Sequence, residues 1–302
     1  MCDASVMTLR QNLYETDPGN PDNETFRTTM MTNNDISDIA RQTDDYCFHS
    51  HTQFCDGRAT MAEMAEAALN AGMKHYGFTP HSPITVESSC NMSRDSVGYY
   101  LAECDRLKDL YAGRMDIYAG MEIDYLGPQW GPASDYFQSL PLDYRIGSIH
   151  FVPTQKGEYV DIDGRFENFK WKMQEFFDND IRWVTEQYFS QTHAMIDAGG
   201  FNIIGHFDKV GHNASHFRPG IEDESWFDTL LDGVIDHIAA SGIIAEVNTK
   251  ALADHHRTFP NRRLWHRLKK AGIPLIVNSD AHYPDLINAG RAETIRLLKS
   301  ID

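Results

Sequence analysis

Five times along the chain a helical pattern closes on glycine and a short apolar run follows at once. Gly72 precedes residues 75–79, Gly113 precedes 117–121, Gly199 and Gly200 precede 202–204, Gly242 precedes 243–247 and Gly272 precedes 274–277. Glycine is favoured just past a helix because the chain there turns left-handed. An apolar run so placed reads as a strand entering a parallel sheet through a crossover helix. The helices are predicted over 60–71, 99–112, about 169–198, 226–240 and 261–270, the first opening on T-M-A-E, a capping box of Thr60 with Glu63. Two further apolar runs, 46–49 and 145–149, bring the units to roughly seven. Strands this short and apolar are buried on both faces, which predicts an α/β fold closed, or nearly closed, into a β/α barrel. The competing doubly wound open sheet is disfavoured because no Gly-rich phosphate loop follows any strand.

Residues 1–43 differ in character. They are polar, with the turn-rich run D-P-G-N-P-D-N at 17–23, and read as an N-terminal extension, flexible or draped over a single domain at 44–302. Lys and Arg number 27 against 44 Asp and Glu, a net charge of −17. That balance excludes a nucleic-acid surface, which needs clustered cations. No run approaches eighteen consecutive apolar residues, so no membrane partner is expected. The first twenty residues lack the basic start and apolar stretch of a secretory signal, and a soluble cytoplasmic protein is expected. Cys2, Cys47, Cys55, Cys90 and Cys104 form no C-x-x-C pair and read as reduced thiols rather than a zinc knuckle or a disulfide framework.

Chemistry emerges at the strand ends. The run 46–49 leads into F-H-S-H, giving His49 and His51, with Asp56 in the loop beyond. The following units end in T-P-H (His81), G-M-E (Glu122), G-S-I-H (His150), I-G-H (His206) and N-S-D-A-H (Asp280 and His282). In a β/α barrel these ends meet on one face. Residues i and i+2 of an extended segment point the same way, so His49 with His51, and Asp280 with His282, can each face one site. A single histidine after a strand is ordinarily a packing residue. Six histidines and three carboxylates after six of seven strands are a metal-ligand set of the kind zinc, iron and manganese accept. Nine ligands suit two or three ions rather than one. His75, His193, His212, His216, His237 and His266 read as structural or surface residues, while His255 and His256 sit on a loop within reach of the mouth.

The ordered set H-x-H, P-H, G-x-E, G-S-x-H, G-H and S-D-A-H resembles the PHP superfamily of metal-dependent phosphoesterases. The stretches G-M-E-I-D-Y, D-Y-R-I-G-S-I-H-F and E-V-N-T resemble its histidinol-phosphate phosphatase branch. The likeness runs from about residue 45 to the end, with Pro80 standing where the superfamily often has Asp. It implies a distorted seven-stranded (β/α)7 barrel holding three divalent ions, Zn, Fe or Mn. The first ion would take His49, His51, Glu122 and Asp280; Glu122 would bridge to a second, held with His150 and His206; the third would take Asp56, His81 and His282. It implies hydrolysis of L-histidinol phosphate to L-histidinol and phosphate, a step of histidine biosynthesis, by attack of a metal-bridging hydroxide, with Glu122, Asp280 and His282 as catalytic residues. Two alternatives stand beside it: a phosphoesterase of another small ester, such as a nucleotide or sugar phosphate, and a non-catalytic, metal-stabilised accessory module.

Five residues are candidates to bind substrate. Arg257, after strand six, would clamp phosphate by bidentate hydrogen bonds, with Lys209 and Arg218 as further cations. Glu246 shares a strand face with Ile244 and Asn248, and a buried carboxylate there needs a partner, either a cation or the ammonium of an amino alcohol. Tyr125, three residues after Glu122, would pack on an imidazole ring.

Overall fold

The structure is a computed structural model that describes residues 30–301. Its strands are β1 (Tyr46–Cys47), β2 (His75–Phe78), β3 (Asp116–Ala119), β4 (Glu122–Asp124), β5 (Ile146–Ser148), β6 (Phe151–Pro153), β7 (Tyr159–Asp161), β8 (Ile203–Ile204), β9 (Ile244–Asn248) and β10 (Leu275–Asn278). Its helices are α1 (Asn33–Gln42), α2 (Met61–Asn70), α3 (Val97–Tyr111), α4 (Asp135–Ser139), α5 (Phe166–Phe176), α6 (Ile181–Ala198), α7 (Val210–Phe217), α8 (Ser225–Ser241), α9 (Leu252–His255), α10 (Trp265–Lys270) and α11 (Arg291–Lys299).

Two parallel sheets carry the fold. One has the order β1-β2-β3 and the other β10-β9-β8-β5-β4. Single parallel bridges, Ser50 to Ala281 and His81 to Glu122, link the two sheets, just past β1, β2 and β10 and at the start of β4. The antiparallel pair β6 and β7 stands apart as a hairpin. Parallel pairing requires crossovers, and helices fill them as the glycine pattern predicts. Gly72, Gly113, Gly199, Gly242 and Gly272 all take positive φ just past their helices, and the Thr60–Glu63 capping box forms. Apolar side chains from strands of both sheets meet in one cluster: Tyr46, Phe48, Tyr144, Ile146, Ile203, Ile244 and Ile276, all buried. Tyr144 lies so close to Gly77 and Gly120 that a Cβ at either would collide with its ring, and its hydroxyl donates to the Phe48 carbonyl at 2.7 Å.

Several expectations change. Within the expected polar extension, residues 33–42 form α1, opened by a second capping box between Thr32 and Asp35, and Ile36 is wholly buried against the strand cluster. The rest of the extension, residues 1–29, and Cys2 lie outside the described residues. The long helix expected over 169–198 is two, α5 and α6. Asp178 and Asn179 take φ of 49° and 60°, and the Asp180 carboxylate then accepts from the Trp183 N–H at 3.0 Å to start α6. The strand expected at 117–121 is interrupted: β3 pairs with β2, and β4 with β5. Asn261–Lys270 is helical only from Arg262, beginning with a 3₁₀ turn. Cys47, Cys55, Cys90 and Cys104 are free thiols, as expected. Among the described residues no helix is long and apolar enough to cross a membrane.

Candidate metal centre

All nine side chains singled out at the strand ends converge. His49, His51 and Asp56 follow β1, His81 follows β2, Glu122 opens β4, His150 follows β5, His206 follows β8, and Asp280 and His282 follow β10. Glu122 lies at their centre and is almost fully buried. Its Oε2 is 3.3 Å from His49 Nε2, 3.5 Å from His51 Nε2 and 3.1 Å from His81 Nδ1. Its Oε1 is 2.9 Å from His206 Nε2 and 3.6 Å from His150 Nε2. Asp280 Oδ1 is 3.0 Å from His51 Nε2, and Asp56 Oδ1 is 3.2 Å from His282 Nε2.

Gly205 makes this crowding possible, since a Cβ there would strike the Ser148 hydroxyl, which donates to Glu122 Oε1 at 2.7 Å. Two of the nine residues hold left-handed backbone, His206 at φ 22° and Asp280 at φ 51°. Strain of about 1–3 kcal/mol in such residues is retained where surrounding structure over-determines it, and typically at functional sites.

The donor set fits divalent ions. Four groups have ligand atoms within 4.8 Å of one another: His49, His51 and Asp280; Glu122, His150 and His206; His51, Asp56, His81 and His282; and His81, Asp124 and His150. Five buried atoms of these nine side chains have no hydrogen-bond partner among the described residues: Asp56 Oδ1, His81 Nδ1, Glu122 Oε2, His150 Nε2 and His206 Nδ1. Buried polar atoms are normally satisfied, at about 1–3 kcal/mol each when they are not. Lone pairs gathered in one place without protein donors are what a cation would satisfy.

Surrounding groups orient these side chains. Glu246 Oε1 is 2.7 Å from His49 Nδ1, and Asp124 Oδ1 is 2.7 Å from His150 Nδ1, leaving each ring's Nε2 toward the centre. Asn248 Nδ2 donates to Asp280 Oδ2 at 3.0 Å. The charges couple strongly. Burial alone would raise the Glu122 carboxyl, but His49, His81 and His150 hold it well below the usual carboxylate range. Burial works against a charged His150, yet Asp124 and Glu122 carry it up to about 9.

The expected substrate-binding residues fare differently. Lys209 lines a cavity of about 360 Å³ that opens on His81 and His150, and pairs with Asp163 at 2.7 Å. Arg257 is engaged elsewhere: its two Nη atoms donate to the Glu222 carboxylate at 2.8 Å each, with Asp208 at 3.4 Å, so the fork expected for phosphate already holds a carboxylate. Arg218 pairs with Glu224. Glu246 is fully buried, accepts from Asn278, Asn248 and the His206 N–H besides facing His49, and lines neither cavity at the mouth. Tyr125 is buried in the outer apolar cluster and lines neither cavity at the mouth. His255 lines both cavities and His256 the larger.

Three residues beside the candidate centre were given no role in the sequence reading. Asp124 stands at i+2 from Glu122, the alternation that relates His49 to His51. Asn248 closes β9, and Lys250 follows it, with Nζ 3.4 Å from Asp280 Oδ1. Their place at a strand's carboxyl end was the available signal.

A family model for the PHP domain matches residues 48–250. A histidinol-phosphatase from Bacillus subtilis is 27% identical over 251 residues, 78% of this chain and 92% of that protein. A protein of Deinococcus radiodurans bearing the name "Probable histidinol-phosphatase" is 25% identical over 265 residues, 84% of this chain and 92% of its own length. The crystal structure of histidinol phosphate phosphatase from Lactococcus lactis, complexed with zinc, L-histidinol and phosphate, has a similar fold, with a TM-score of 0.64 at 18% identity over 86% of this chain and 95% of that one.

Proposed function

We infer that the chain, which belongs to the PHP domain family, is a metal-dependent phosphatase that hydrolyses L-histidinol phosphate to L-histidinol and phosphate, a step of histidine biosynthesis. The observation that carries this reading is Glu122, one buried carboxylate whose two oxygens face five imidazoles, three on one oxygen and two on the other. That is the disposition of a ligand shared between ions. The relatives named histidinol-phosphatase, aligned over most of their length, support the substrate.

We assign three divalent ions, Zn, Fe or Mn, to the sets His49, His51, Glu122 and Asp280; Glu122, His150 and His206; and Asp56, His81 and His282. The proximity groups support this division. Such ions, when bound, activate water near neutral pH and neutralise the phosphoryl oxygens and the departing alkoxide. The protein's own part is positional. Glu246 and Asp124 turn His49 and His150, Asn248 sets Asp280, and Ser148 fixes Glu122 Oε1. Lys209 brings a cation to the wall of the smaller cavity. We read the two sheets and their bridges as one distorted seven-stranded (β/α)7 barrel over residues 44–302, with β3 and β4 as one interrupted strand. As an enzyme of histidine biosynthesis it would act in the cytoplasm.

The test is phosphate release by metal-reconstituted protein from L-histidinol phosphate beside a panel of nucleotide and sugar phosphates. A strong preference for L-histidinol phosphate is expected. Preference for another ester would overturn the substrate, and no turnover with metal bound would point to a non-catalytic module.

A further inference from the structure

Lys250 stands two residues past the end of β9 and lines both cavities at the mouth, the smaller of about 360 Å³ and the broader of about 1350 Å³. Its Nζ is 3.4 Å from Asp280 Oδ1 and 3.2 Å from His282 Nε2. Among the described residues, no other Lys or Arg ion-pairs with a carboxylate of the nine ligands. The backbone beneath it is firmly set. Its N–H donates to Asn248 Oδ1 at 2.9 Å while Asn248 Nδ2 donates to Asp280 Oδ2, so one amide places Lys250 and Asp280 side by side. The preceding Thr249 hydroxyl donates to the Ala289 carbonyl at 2.6 Å. Arg257, Lys209 and Arg218, the other cations considered for phosphate, face Glu222, Asp163 and Glu224.

We propose that Lys250 is a phosphate-binding residue, whose ammonium holds the phosphoryl group of the substrate, and then the product phosphate, above the rim made by Asp280 and His282. The proposal rests on the reading of this chain as a phosphatase. Both atoms facing Nζ are ones that would hold an ion. With those two atoms so engaged, the N–H donors of the ammonium would be left for an anion at the rim, such as a phosphoryl oxygen. A compact charge on a flexible stem suits this task, and the side chain is 39% exposed, which leaves it room to follow the phosphate. Neutralising Asp280 alone is the competing role.

Metal-reconstituted wild type, K250M and K250R are compared for metal content per chain, for binding of inorganic phosphate by calorimetry, and for kcat and KM with L-histidinol phosphate. K250M should keep its metal, bind inorganic phosphate at least about tenfold more weakly and raise KM by a similar factor, as loss of one charge-assisted hydrogen bond implies. K250R should recover much of both. Unchanged phosphate affinity in K250M overturns the proposal. Loss of metal in K250M also overturns it, in favour of a role confined to Asp280. If wild type binds phosphate but leaves L-histidinol phosphate intact, while K250M binds phosphate weakly, the substrate assignment fails and the role of Lys250 stands.

Discussion

Glu246 accepts from Asn278 and Asn248 and faces His49 Nδ1, so a proton on that nitrogen leaves the Nε2 lone pair toward the centre. Supporting carboxylates of this kind are commonly worth ten- to hundredfold in metal affinity or activity. E246Q, and D124N at His150, should each lower metal affinity by about that factor in ion titrations, with secondary structure unchanged by circular dichroism. Arg257 belongs to a different category of effect. Its guanidinium is a largely buried partner of Glu222 and Asp208, and breaking such a pair typically costs about 3–5 kcal/mol. R257M should therefore lower unfolding free energy in urea by roughly 3 kcal/mol and change KM less than K250M does. Nothing in the spacing around Arg257 announces Glu222, which lies 35 positions away. That pairing, which the sequence reading of Arg257 as a phosphate clamp did not include, is set by the tertiary fold.

α1 shows how a polar stretch hides an element. Its Thr32–Asp35 capping box is the same device read at Thr60 and Glu63, and its buried face is narrow, Ile36 and Ser37 with Ile39 and Ala40 partly covered. Such a face gives weak periodicity, yet Ile36 fills the cluster that unites strands of both sheets. I36A should cost about 2–5 kcal/mol in urea unfolding, the range for emptying a buried aliphatic site. The break between α5 and α6 is local in origin. Asp178 and Asn179 adopt left-handed φ, which Asn tolerates and glycine accepts freely. N179A should destabilise by about 1 kcal/mol, while N179G should cost less, a contrast measurable by thermal unfolding. The helix-ending glycines, the Thr60 box and the strand ends were legible because each is set within a few residues. The β6–β7 hairpin and the interrupted third strand were not, since their pairing partners decide where they begin and end.

At the scale of the molecule the nine candidate ligands come from both parallel sheets, so ions held there would join the two. A ligand that binds only the folded state stabilises it by mass action, about 2.7 kcal/mol at a hundredfold excess over Kd. Chelation should lower Tm by several degrees and added divalent ion should restore it, in proportion to the logarithm of ion concentration. A Tm indifferent to chelator would show that the cluster does not hold metal. The chain's charge of −17 makes this local gathering of imidazoles and Lys250 the more pointed, because binding an anion such as phosphate requires a reversal of sign at the mouth. By itself the sequence determined the alternation of crossover helices and apolar strands and the order in which ligand-type side chains follow them. Helix-ending glycines, two-residue periodicity and position after a strand are properties of neighbouring residues. Which imidazole faces which oxygen of Glu122, which carboxylate turns each ring, and which cation is left at the rim were decided only by the tertiary structure. Those partners are as far apart as His49 and Glu246, 197 positions along the chain, and only the packing of distant strands brings them within hydrogen-bond reach.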